Sequence, residues 1–167
     1  VPVVEVIGPA IRTAVSTTRN SRVGVIGTAG TIGSGVYQDM SAVNPTLSVF
    51  AQACPRLVEV VEAGVTDSPE VLAVAEQYLA PLRQAGVDTL VLGCTHYPFL
   101  EGAISYVMGP DVSLVSSDTE TAKDVYRELV SRGILAGPTA TPTHIYEATG
   151  DSADEFLRLA DQLMGRG

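Results

Sequence analysis

The sequence predicts an α/β protein whose mainly parallel sheet is flanked by helices. Short apolar runs rich in β-branched residues recur along the chain: Val23-Gly24-Val25-Ile26-Gly27, Thr89-Leu90-Val91-Leu92-Gly93 and Val112-Ser113-Leu114-Val115. Unbroken runs of this length mark strands buried on both faces. Each is closed by Gly or Ser, and segments of helical periodicity lie between them. Strand alternating with helix is the signature of a parallel sheet, because parallel neighbours need a crossover.

Taken in order, residues 3–7 read as a weak strand, the run at Val23 as the first strong one, and residues 46–51 as another weak one. Cys54, Leu57, Val58 and Val61 then recur at helical spacing. Ser68-Pro69-Glu70 supplies an N-cap, a proline at the first helical position and an acid in the first turn. Behind it Val71, Leu72, Val74, Ala75, Leu79 and Leu82 form an apolar stripe that Gly86 stops. After the strands at Thr89 and Val112, residues 118–132 read as a helix with Val125, Leu129 and Val130, ended by Gly133. The Gly-Pro-Thr-Ala-Thr-Pro-Thr stretch at 137–143 is a turn-rich linker. A weak strand at 143–147 follows it, and then a helix that begins at Asp151 or Ser152 and carries Phe156, Leu157, Leu159 and Leu163. No internal repeat of fixed period occurs.

The chain has 167 residues, enough to bury a core without staples. Hydrophobic residues are 46% and charged residues 17%, against about 25% charged in an average soluble protein, which excludes a disordered segment. With 10 basic and 19 acidic residues the net charge is −9, so the basic footprint needed for nucleic acid or an anionic membrane surface is absent. The longest uncharged runs, 23–38 and 42–55, are broken by Gly, Pro and polar residues, too early to span a bilayer. Two cysteines make no disulfide framework and no Cys-x-x-Cys points to zinc, so the expected location is the cytosol. The first residues have neither the basic region nor the cleavage site of a signal peptide. The chain opens on Val1 without an initiator Met, directly into an apolar run, and is expected to be a piece of something longer.

In parallel α/β sheets, chemistry gathers beyond the carboxyl ends of strands. Two junctions stand out. In Gly27-Thr28-Ala29-Gly30-Thr31-Ile32-Gly33, glycines let backbone amides approach an anion, and Thr28 and Thr31 add hydroxyls. The spacing is not a dinucleotide fingerprint and no Lys completes a phosphate loop. Either the turn binds an anion or it merely caps a helix. In Gly93-Cys94-Thr95-His96-Tyr97-Pro98, Cys94 lies between a strand end and a helix start, where the helix dipole is expected to lower the thiol pKa. His96, two residues on, can add charge or exchange a proton. That placement favours a functional thiol over a small core residue. Cys54 starts an apolar helical stripe with no His nearby and reads as core packing. Glu62 reads as a lone, solvated acid, and His144 as structural.

Together, Gly27-Thr28-x-x-Thr31-x-x-Ser34-x-x-Tyr37, then Ala53-Cys54-Pro55 with Glu62, then Leu92-Gly93-Cys94-Thr95-His96-Tyr97-Pro98, resemble the glutamate racemases of the aspartate/glutamate racemase family. The match in order and spacing runs along essentially the whole chain. The resemblance implies a cofactor-independent, metal-free enzyme interconverting L- and D-glutamate for the cell wall, built from two similar α/β domains with a catalytic cysteine on each side of a cleft, and homo-oligomeric when complete. It implies catalytic roles for Cys94 and His96 and substrate-binding roles for Thr28, Thr31, Thr95 and Glu62. Cys54 falls at a noncatalytic family position. The family's Asp-Ser-Gly and Cys-Asn-Thr motifs, the latter bearing the other catalytic cysteine, do not occur here. The chain is therefore expected to be a C-terminal part: residues 8–115 the second domain, 1–7 and 116–167 elements of the first, and inactive alone. Alternatives are a related aspartate or hydantoin racemase, or a noncatalytic phosphate- or nucleotide-binding module.

Overall fold

The computed structural model describes residues 2–39, 44–138, 141, 143, 145 and 153–164. The chain divides into two units, Val1–Val125 and Tyr126–Gly167. In the first, four parallel strands lie in the order β2-β1-β3-β4, with β1 at Arg22–Gly27, β2 at Ser48–Ala53, β3 at Thr89–Leu92 and β4 at Ser113–Ser116. Ile26 pairs with both Gln52 and Leu92, and Leu92 with Ser116, so all four strands finish at one level.

Helices cover both faces. Val23, Val25 and Val91 point to one side, against Ala10 and Ala14 of α1 (Ile7–Thr17). Gly24 and Leu90 point to the other, where a Cβ on Gly24 would meet Leu82 of α4 (Pro69–Gln84). The central strands β1 and β3 are buried almost throughout and the edge strand β4 only partly. Between them run α2 (Ala29–Gly33), α3 (Pro55–Glu62), a 3₁₀ turn at Tyr97–Leu100, α5 (Glu101–Met108) and α6 (Ser117–Ser131). Below the sheet's amino end, Asp88 ties the loop after α1 to β3, accepting from Thr18 Oγ1 (2.6 Å), Arg19 N (2.7 Å), Asn20 N (2.8 Å) and Thr89 Oγ1 (3.0 Å).

Three local expectations change. Residues 3–7 form no strand: the Glu5 carboxylate accepts the N–H groups of Ile7 and Gly8 and so starts α1. The four-residue spacing of Ala10 and Ala14 buries a helical face just behind Gly8-Pro9. β2 begins at Ser48 rather than 46, after a turn in which Asn44 accepts from Thr46. β4 runs one residue later than the sequence run. The cap, stripe and Gly stop of α4 stand as read: Ser68 Oγ accepts from Val71 N and Gly86 takes a positive φ. In the second unit, α7 is Ala153–Met164, with Phe156 and Leu157 exposed. Of the expected strand at 143–147 only residues 143 and 145 are described, neither of them in a strand; the rest of it, His144 included, and the helix start at 151–152 lie outside the described residues. No helix among the described residues is long and apolar enough to cross a membrane.

Candidate active site

The level strand ends bring three loops to one rim. Gly93 N donates to Ile26 O (2.8 Å), extending the β1–β3 pairing one residue beyond β3 and delivering Cys94 directly above it. Ser117 Oγ donates to Leu92 O (2.8 Å) and fixes the loop from β4 against the same strand end. A cavity of about 530 Å³ opens there, walled by Thr28 and Thr31 from the first loop, Cys94 and Thr95 from the third, and Ser117 and Asp118 from the fourth. Its lining among the described residues contains no Lys, Arg or His. A second hollow of about 390 Å³ beside Leu72, Phe99 and Tyr106 carries neither thiol nor imidazole.

Thr28 caps a helix and also lines the cavity. Its side chain caps α2 by accepting from Thr31 N (3.2 Å), and its hydroxyl also pairs with that of Thr31 (3.0 Å) at the cavity wall.

Cys94 is half-buried, with Sγ 3.9 Å from His96 Nδ1. That ring nitrogen is also 3.3 Å from Thr95 Oγ1, and His96 Nε2 lies 3.4 Å from Glu62 Oε1 at the end of α3. The order is thiol, imidazole, carboxylate. The expected lowering of the Cys94 pKa is not what the structure gives. Burial raises it above 9.0, against the smaller lowering effect of the His96 and Tyr97 backbone N–H groups, and the Glu62 charge raises it further. Cys94 leads into a 3₁₀ turn, and α5 begins only at Glu101, so no α-helix dipole ends on the sulfur.

Cys54 lies elsewhere. It is fully buried at the N-cap of α3, its Sγ 3.5 Å from Gln52 O, and burial pushes its thiol up to about 12. Its backbone carbonyl accepts from the buried Tyr97 hydroxyl at 2.9 Å, pinning α3 to the Cys94 turn.

Of the residues expected at the site, Thr28, Thr31, Cys94 and Thr95 share the cavity. His96 and Glu62 are outside its lining and reach it through the sulfur; the solvated acid is His96's partner. Ser117, Asp118 and Tyr37 join the wall without being among the site residues expected from sequence. The strand-end rule applied to the loop after β4 finds the first two, while Tyr37 closes a motif without any local sign of where its side chain goes.

The Asp/Glu/Hydantoin racemase profile matches residues 1–124. The chain belongs to that family. Among this family's curated members, the glutamate racemase of Leifsonia xyli subsp. xyli is 67% identical over 99% of the chain. Its solved members include glutamate racemase isoform RacE1 from Bacillus anthracis, at 40% identity and a TM-score of 0.91 over 99% of the chain. The Francisella tularensis glutamate racemase, solved in complex with D-glutamate, is 26% identical with a TM-score of 0.86 over 99% of the chain. The chain spans 61% of the length of the Leifsonia relative, 62% of the Bacillus chain and 61% of the Francisella chain.

Proposed function

We propose that this chain supplies one half of a glutamate racemase, with Cys94 as the acid/base group on one face of the substrate. The carrying observation is a thiol in a hydroxyl-lined cavity with an imidazole 3.9 Å away that is itself backed by a carboxylate. Racemisation removes the α-proton from one face and returns a proton to the other, so two groups must flank the carbon in opposite protonation states. His96 Nδ1 takes the Cys94 proton, and Glu62 steadies the imidazolium. The thiolate then accepts the α-hydrogen of L-glutamate as the Cα–H electron pair moves into the adjoining carboxylate. A second group delivers a proton to the opposite face, and the reverse reaction runs through the same atoms. Thr28, Thr31 and Thr95 hold carboxylates and orient the carbon.

In this reading residues 8–115 are the racemase domain bearing Cys94, and residues 1–7 and 116–167 belong to its partner domain. The second acid/base group resides upstream, in the part of the relatives that this chain does not span. No resident cofactor or metal takes part, and the product serves cell-wall synthesis in the cytoplasm. Support for glutamate over aspartate or a hydantoin comes from the glutamate racemases among the relatives and from the D-glutamate complex of the Francisella protein.

The test joins this chain to the upstream segment of the Leifsonia relative and follows L- and D-glutamate by circular dichroism, with aspartate alongside. The joined protein racemises glutamate, Cys94→Ala abolishes turnover while remaining folded, and the 167-residue chain alone gives none. Turnover retained by Cys94→Ala refutes the assignment, and preference for aspartate refutes the substrate.

A further inference from the structure

Tyr37 serves two kinds of neighbour. Its ring belongs to the apolar cluster of Ala10, Ala14, Val25 and Val91, and the residue is only 2% exposed. Its hydroxyl reaches the end of β3, only 3.2 Å from where a Cβ on Gly93 would stand, on the cavity wall beside Cys94. No described residue gives this hydroxyl a hydrogen-bond partner. Among the described residues the side-chain oxygen both unpartnered and sealed from solvent is Gln38 Oε1 and not that of Tyr37, which lines the cavity.

A phenol with no partner in the protein and open only to the cavity keeps its donor free for whatever enters there. The threonine donors are partly committed within the protein. Thr28 and Thr31 share one hydrogen between their hydroxyls, leaving one to point outward, and the Thr95 hydroxyl lies against His96 Nδ1. With no basic side chain in the described lining, a carboxylate entering here is held by neutral donors only. Resting on the racemase reading above, we propose that the Tyr37 hydroxyl donates a hydrogen bond to a substrate carboxylate beside Cys94 and thereby sets the affinity for glutamate. Burial, and secondarily the Glu5 charge, hold the phenol above its ordinary pKa, so it remains a donor.

Tyr37→Phe keeps the ring and removes the donor, so the fold is retained. In the joined racemase, KM for both enantiomers rises about 10- to 100-fold while kcat changes little, the pattern of a contact made equally in ground and transition states. In parallel, D-glutamate is used to protect Cys94 of the joined protein from iodoacetamide, and half-protection requires at least about tenfold more D-glutamate in the variant. An unchanged KM in an active enzyme overturns the Tyr37 assignment, as does equal protection of parent and variant or protection of neither. A parent that is protected but does not racemise sinks the activity reading, while its protection curves still decide Tyr37.

Discussion

Replacing Gly93 with alanine adds one methyl group where the sheet has no room for it. The new Cβ would stand 2.9 Å from the backbone oxygen of Ile26 and 3.2 Å from the Tyr37 hydroxyl, whereas ordinary contact begins at 3.4 Å. Neither neighbour yields easily. Ile26 O is in the central strand, accepting Gly93 N at 2.8 Å, and Tyr37 is wedged in the core. The φ of Gly93 lies outside the left-handed region, so crowding is the whole effect. Overpacking of this kind costs about 1–3 kcal/mol and the weakened hydrogen bond about 1 more, giving a destabilisation of about 2–4 kcal/mol. Relief of the contact moves the 93–94 backbone by several tenths of an ångström, enough to lower turnover about tenfold or more through the displaced sulfur. Urea unfolding of the chain followed by circular dichroism reads the first effect, and kcat of the joined racemase the second. A Gly93→Ala protein within about 0.5 kcal/mol of the parent and equally active would refute the crowding argument.

Cys54→Ala costs about 1 kcal/mol or somewhat more through lost packing and leaves turnover of the folded joined enzyme intact; an inactive but folded variant would implicate the wrong thiol. With the Cys54 thiol pushed up to about 12, iodoacetamide at pH 8 modifies Cys94 and reaches Cys54 only after unfolding, as peptide mapping will read. Asp88→Ala orphans the N–H groups of Arg19 and Asn20 and costs about 2–4 kcal/mol, while Asp88→Asn, which retains one acceptor, costs less. Burial pushes the Asp88 pKa up, but its hydrogen bonds from Thr18, Arg19, Asn20 and Thr89 bring it below the ordinary value. Its contribution is therefore complete above about pH 4 and lost as pH falls through the depressed value. Acid unfolding midpoints compare parent with Asp88→Asn; identical curves would show that the carboxylate carries no such linkage.

Much of this architecture is legible in the sequence because burial on two faces leaves an unambiguous mark. The runs at Val23 and Thr89 are central strands, and Ser68-Pro69-Glu70 with Gly86 brackets α4 within two residues. α1 is not legible: small residues carry its buried face and Glu5 starts it from outside, so neither stripe nor cap resembles the usual pattern. At the site, Cys94 and the threonines follow from strand ends and motif spacing. The Glu62–His96 contact does not, because α3 and the turn after β3 meet only through the fold. The raised thiol pKa escapes a sequence reading because burial of a side chain is a tertiary property, and it outweighs the local backbone donors.

In the racemase reading proposed above, a lining that holds no Lys, Arg or His among the described residues also bears on how an anionic substrate arrives. On a chain of net charge −9, with Asp118 at the rim, no cationic side chain of the described lining draws a negatively charged amino acid inward. Recognition falls to hydroxyl and amide dipoles whose influence ends within the cavity itself. Capture then depends on unguided diffusion against a mild long-range repulsion. Raising ionic strength from about 0.01 M to 0.1 M shortens the reach of that repulsion from about 30 Å to 10 Å. Added salt therefore quickens the encounter, the reverse of a site that gathers its substrate with lysine or arginine.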